Sequence, residues 1–111
     1  MPTPSIGSLE LAALLAVARL SNEAYGLAVR EDLAQRTGKE HSVGAIYTTL
    51  QRLEDKGLLA SRATAPLPVR GGRSRRQFRI TGAGARAIRE AERQSASMWS
   101  GVGTLNRPES A

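Results

Sequence analysis

No cysteine occurs in this chain of 111 residues, so neither a disulfide framework nor a thiolate metal site can form. A single histidine, His41, leaves no material for a His-based metal cluster or a serine–histidine relay. No catalytic set can be assembled and nothing calls for a cofactor or a metal, so an enzyme is not expected. Aromatic residues make up only 4%: one Trp, two Tyr and one Phe. The core must therefore rest on Leu, Ile, Val and Ala, which suits helices better than a sandwich. The most apolar stretch, Ile6–Leu20, carries Glu10 and Arg19 and is too short to span a bilayer. No basic segment precedes it and no cleavage pattern follows, so neither a membrane partner nor secretion is expected, and the compartment is read as cytoplasmic.

The most informative absence is of acidic residues. None stands between Lys56 and Arg89, a stretch holding Lys56, Arg62, Arg70, Arg73, Arg75, Arg76, Arg79, Arg86 and Arg89. Nine of the 16 Lys and Arg thus lie in one contiguous third, and the other seven face all ten Asp and Glu. The chain is +9 in that third and −3 elsewhere. A small domain polarised in this way, with a helix feeding a strand, a basic loop and a second strand, has the form a winged helix presents to DNA.

The element pattern is that of a mainly α protein with a small β-hairpin. Ser8–Leu20 predicts a first helix, apolar around much of its circumference, ended by the turn chemistry of Ser21 and Asn22. Tyr25–Arg36 predicts a second, with Leu27, Val29 and Leu33 inward, Arg30, Glu31 and Asp32 mostly outward, and Gly38 at its C-terminal cap. Ser42 can cap a third helix running to Lys56 and closed by Gly57. Within it Val43, Ile46, Leu50 and Leu53 form a buried stripe. Leu58–Ala63 and Gln77–Ile80 read as antiparallel strands, with Phe78 and Ile80 on one side. The connection Thr64–Arg73, with two prolines and the Gly71–Gly72 pair, should project as a flexible wing. Thr81 caps a last helix reaching about Trp99, in which Gly82 and Gly84 weaken the first turn. From Ser100 onward the chain reads as a flexible tail. This divides the molecule into a winged helix-turn-helix unit (1–80), a C-terminal dimerisation helix (81–99) and a tail (100–111).

At about 100° per residue, Ala45, Thr48 and Arg52 fall opposite the stripe of the third helix, with Tyr47, Thr49 and Gln51 on its flanks. Ser42, Ala45, Thr48 and Thr49 offer a small polar surface to a major groove, with Arg52 deeper along. Tyr47 reads either as a phosphate contact or as an aromatic at the core rim. Wing arginines Arg70, Arg73, Arg75 and Arg76 are candidates for phosphate neutralisation. The apolar tip Pro66–Val69 reads either as a minor-groove probe guided by Arg70 or Arg73, or as a loop folded back on protein. His41 suits a helix-entry or phosphate contact. Glu54 lies beside the buried stripe, where an arginine partner is expected.

Four pieces of the chain together resemble the PadR family of bacterial transcriptional regulators: Leu9–Val17, Tyr25-Gly26-Leu27, GAIYTTLQRLEDKGLL at Gly44–Leu59, and GGRSRRQFRITGAG at Gly71–Gly84. The likeness covers about residues 8–92 and keeps the element order. It implies a winged helix-turn-helix repressor that dimerises through its first and last helices and binds palindromic promoter DNA. It also implies that Tyr47, polar residues of the third helix and wing arginines contact that DNA. The sequence departs from the family pattern at Ser74, where wings often carry proline, and at Gln77–Phe78, where a tyrosine pair is common. The single short C-terminal helix is similar to the small subfamily, some of whose members take aromatic drugs or phenolics in a pore between subunits. Trp99 is the one candidate aromatic here for such an effector at the dimer interface.

A homodimer is expected independently of the resemblance. The first helix is apolar on more faces than one small domain can cover, and 81–99 has little to pack on within its own subunit. Leu11, Leu15, Ile88, Ala91 and Trp99 are the residues expected at that contact. Two other readings remain open at this stage: an architectural protein that coats double-stranded DNA without an operator, and a winged-helix module that binds another protein.

Overall fold

The computed structural model describes residues 4–65 and 75–103. The first helix, α1 (Ser8–Leu20), starts where the Glu10 carboxylate accepts the Gly7 backbone N–H at 2.9 Å, satisfying one of the donors a helix start leaves open. Ala13, Leu14, Ala16 and Val17 are fully or almost fully buried, which places α1 at the centre of the molecule. A single 3-10 turn, Ser21–Glu23, leads out of it, with Ser21 at φ +51°, rare for a residue with a side chain. The second helix, α2 (Gly26–Thr37), ends at Gly38 in the left-handed region (φ +73°), whose N–H returns to the Ala34 carbonyl.

Leu27 is 59% exposed, contrary to the inward position expected of it. Val29 and Leu33 lie four apart on one face, and Leu27, two residues before Val29, is turned about 200° away from it. Asp32 also departs from the expected outward face, being drawn against α1 by Arg19, with Arg36 on its other side.

Ser42 caps α3 (Val43–Asp55), its hydroxyl accepting the Ala45 N–H at 3.1 Å. Ile46, Leu50 and Leu53 are fully buried, but Val43 is 42% exposed and Thr49, at 5%, takes its place. Val43 sits in the first turn, beyond the reach of the helices that cover Ile46, so the buried arc centres roughly 30° nearer Thr49 than the apolar residues alone indicate. Lys56 then caps the helix and Gly57 (φ +77°) turns the chain.

The strands β1 (Leu59–Ala63) and β2 (Arg76–Ile80) pair antiparallel in the register Leu59↔Ile80, Ser61↔Phe78 and Ala63↔Arg76. Leu59 and Phe78 point into the core. Tyr25 bridges to Gln77, and the Phe78 N–H reaches the Ala24 carbonyl at 2.9 Å, so the segment before α2 lies along the free edge of β2. Glu54 has a hydroxyl partner instead of the expected arginine. Ser61 Oγ lies 2.8 and 2.9 Å from its two carboxylate oxygens, and Arg76 Nη1 donates to Ser61 Oγ, bringing its charge to Glu54 at one remove. Thr64 closes the hairpin mouth onto the Arg75 carbonyl through both its N–H and its hydroxyl. The wing tip, with Arg70 and Arg73, and the last part of the expected tail fall outside the described residues.

Thr81 caps α4 (Gly82–Trp99) by accepting the Gly84 N–H, while its own hydroxyl donates to the Gly57 carbonyl at 2.7 Å. Gly84 is buried against the Leu58 carbonyl, into which any Cβ would run, so α4 leaves the domain over a point where only glycine fits. Ile88 still packs against the core, but from Glu92 onward every residue of the helix is exposed, Met98 at 79% and Trp99 at 62%. Among the described residues no helix is long and apolar enough to cross a membrane, and no three potential ligands cluster as a metal site would need.

Candidate nucleic-acid interface

The rotation of the buried arc redraws the outward face of α3. Gly44, Thr48 and Gln51 stand at its middle, Tyr47 and Arg52 on its flanks, and all five are exposed. Ala45 is half-buried, and its carbonyl accepts the Thr49 hydroxyl at 2.7 Å. Thr49, expected to face DNA, is instead buried: its hydroxyl is satisfied within the helix and its methyl packs inward. Ser42 is exposed at the helix start, where its cap hydrogen bond engages the hydroxyl as acceptor. The His41 carbonyl accepts from Arg30 Nε at 2.6 Å, tying the entry of α3 to α2.

Gly44, Gln51 and Val43 were not among the expected contacts. A Cβ at Gly44 would meet nothing within 4 Å, so the fold makes no demand for glycine there. A glycine inside a helical pattern is the signal that could have found it, since bare helix backbone admits a close neighbour. Gln51 Nε2 is held by Asp55 at 3.0 Å. No acidic residue occurs from Ser42 to Arg52, and the helix N-terminus adds its own partial positive charge.

Two aromatic contacts join the elements around this face. Tyr47, 43% exposed, lays its ring across Gly26 at the start of α2. Arg75 lies over the Tyr25 ring, its guanidinium carbon 4.0 Å from the centroid. Such a stack is worth about 0.5–1 kcal/mol at an exposed site and more when desolvated. Arg75 is half-buried and its Nε has no hydrogen-bond partner among the described residues, so its stack on Tyr25 anchors the wing root more than it offers the side chain to solvent. Arg76 is exposed, with one guanidinium nitrogen on Ser61. Arg62 and Arg79 are exposed along the outer face of the hairpin, Arg62 holding Gln77 at 2.9 Å.

Elsewhere in the molecule the structure brings Leu11, Leu15, Ile88, Ala91 and Trp99 into a single groove of about 560 Å³ between α1 and α4, completed by Glu92, Ser95 and Ala96. An adjoining depression adds Pro4, Ile6 and Met98 and shares Leu11, Ala91 and Trp99.

Residues 14–90 match the sequence profile of the transcriptional regulator PadR-like family. Transcriptional regulator Rv3488 of Mycobacterium tuberculosis is 42% identical over 72 residues, which make up 65% of this chain and 63% of that relative, so the likeness spans less than two-thirds of the relative's length. The crystal structure of a PadR family transcriptional regulator from Eggerthella lenta is similar with a TM-score of 0.66 and 33% identity, over 91% of this chain and 89% of that one. The PadR-like transcriptional regulator from Bacillus cereus superposes with a TM-score of 0.70 at 24% identity, over 91% and 93% of the two chains, a likeness of fold alone. With its profile match over residues 14–90 and its helices and hairpin arranged as in the similar structures, this chain belongs to the PadR-like family of transcriptional regulators.

Proposed function

We propose that this chain is a homodimeric repressor that binds a palindromic promoter site, reading bases with helix 42–56 and gripping phosphates with the basic wing 62–79. The observation that carries this reading is the exposed face of α3, free of acidic residues through Arg52, beside a hairpin that adds Arg62, Arg76 and Arg79. Thr48 and Arg52 are positioned to meet base edges, Ser42 and Tyr47 to meet phosphate, and Ala45 to let the backbone sit close. Arg70 and Arg73, in the same acid-free stretch of sequence, are further candidates for phosphate neutralisation. Residues 1–80 form the DNA-binding unit, 81–99 the dimerisation helix, and 100–111 lie beyond both. The α1–α4 groove is the surface that a second copy covers, and it is where an effector would enter. A protein of this kind works where the chromosome is, in the cytoplasm.

The test is selection of bound fragments from a random duplex pool, followed by titration of the selected and a scrambled duplex at one fixed salt concentration. A repressor of this kind holds its selected site about 10³-fold or more above the scrambled one. A ratio near one indicates an architectural protein instead. Association without salt dependence removes DNA as the partner.

A further inference from the structure

We propose that Gly26 is a positioning residue for DNA binding: it lacks a side chain so that the Tyr47 ring can reach from α3 across the start of α2, with its hydroxyl held beside that helix start. This rests on the DNA-binding reading above. Gly26 is the buried first residue of α2 and is not among the glycines with positive φ, so its backbone makes no demand for glycine. A Cβ there would stand 2.5 Å from Tyr47 Cζ, 2.6 Å from Cε1 and 2.7 Å from the hydroxyl oxygen, well inside van der Waals contact.

These three nearest atoms all belong to the far end of one side chain. That separates Gly26 from Gly84, where the obstacle is the Leu58 carbonyl and cannot yield, and from Gly44, where there is no obstacle. Alanine at position 26 therefore has one low-cost relief. Tyr47 swings out about its own side-chain torsions, while α3 stays seated on the fully buried Ile46, Leu50 and Leu53. The fold survives and the hydroxyl leaves its place. The neighbouring Tyr25, which carries Arg75 on its ring, makes this short segment the footing of both helix and wing.

The experiment is a double-mutant cycle on the full chain, Gly26→Ala and Tyr47→Ala alone and together. Melting temperature is read without DNA, and affinity is read on the duplex that the parent protein selects from a random pool. Expected are a melting temperature for Gly26→Ala within a few degrees of the parent and a loss of affinity of roughly fivefold or more, as one hydrogen bond to phosphate implies. In the Tyr47→Ala background the glycine change should cost no further affinity.

Parent-like binding by Gly26→Ala overturns the proposal. So does an equal loss from Gly26→Ala with and without the tyrosine ring. If Gly26→Ala melts far below the parent, recovery of the melting temperature on adding Tyr47→Ala supports the ring as the obstacle, and no recovery refutes it. Should the parent select no duplex, the DNA-binding reading fails and this proposal, which rests on it, fails with it.

Discussion

Leu50 and Thr48 lie two residues apart on α3 and belong to different physical problems. Leu50 is fully buried in the core, so Leu50→Ala leaves a cavity and should cost about 2–5 kcal/mol of folding stability, read by denaturant melts without DNA. Thr48 and Arg52 are exposed, so Thr48→Ala and Arg52→Ala should melt like the parent. Each should instead lose about 1–3 kcal/mol on a selected duplex and far less on a scrambled one. Thr49→Ala supplies the control: a buried hydroxyl bonded to Ala45 should change the melting temperature and leave the preference between duplexes alone. If Thr48→Ala and Arg52→Ala both bind like the parent, α3 is not the reader. Gly84→Ala needs no DNA at all, because a Cβ driven into the Leu58 carbonyl should destabilise the domain by about 1–3 kcal/mol.

Between elements, two ionic ties hold the ends of α1. Lys56, at the end of α3, reaches the Glu10 carboxylate at 2.7 Å and the Ser5 carbonyl at 2.8 Å. The Lys56 hydrogen bond, aided by the Gly7 N–H, holds Glu10 below its ordinary pKa of 4.5. At the other end Arg19, with Arg36 behind it, outweighs burial and holds Asp32 below 3.8. A carboxylate whose pKa is depressed by folding binds its proton more readily in the unfolded chain, so its contribution is complete above the unfolded value and fades as pH falls through the folded one. Stability should therefore decline on acidification from about pH 5 downward, and Glu10→Gln and Asp32→Asn should each flatten that decline in urea titrations. A decline equally steep in both variants rules out these ties as its source.

The elements themselves were legible from the sequence because their signals are local. Ser42, Gly38 and Thr81 act within one turn, and the expected helix limits agree with the observed ones to about a residue. The misplaced residues, Leu27, Val43 and Thr49, were decided by which neighbour lies over each face. Composition carries nothing about that, and an apolar side chain at a helix start looks the same whether covered or bare. Glu54 was misread for a similar reason, since Ser61, seven residues on, comes within reach only once β1 folds back on α3.

At the scale of the whole molecule the two surfaces make separate demands. The α1–α4 groove predicts a particle of twice the 11.8 kDa chain mass by light scattering at micromolar concentration. Leu15→Glu, which places a carboxylate in that groove, should give a monomer whose operator affinity is weaker by about tenfold or more, because two half-sites are no longer engaged together. A parent that scatters as a monomer with α1 and α4 intact removes the dimer. The hairpin face is tested by salt: Arg76→Ala should weaken binding to every duplex and reduce the salt slope by about one unit. Arg75→Ala should act differently, loosening the wing root from Tyr25 before any phosphate is met. Polarity of charge along the chain was enough to expect a DNA-facing half. The aromatic stack that fixes where the wing leaves the domain was not readable, because Tyr25 and Arg75 stand fifty residues apart.

The scarcity of aromatic residues has a spectroscopic consequence. Trp99 is the sole tryptophan, it is 62% exposed, and it lines the α1–α4 groove. The chain's indole fluorescence therefore comes from one address on the surface. Whatever settles there, a second subunit or a flat aromatic molecule, displaces water from that ring and moves its emission to shorter wavelength, while events at α3 and the wing leave the signal still. Dilution of the unlabelled protein thus reports occupancy of this one surface without dye, tag or mutation.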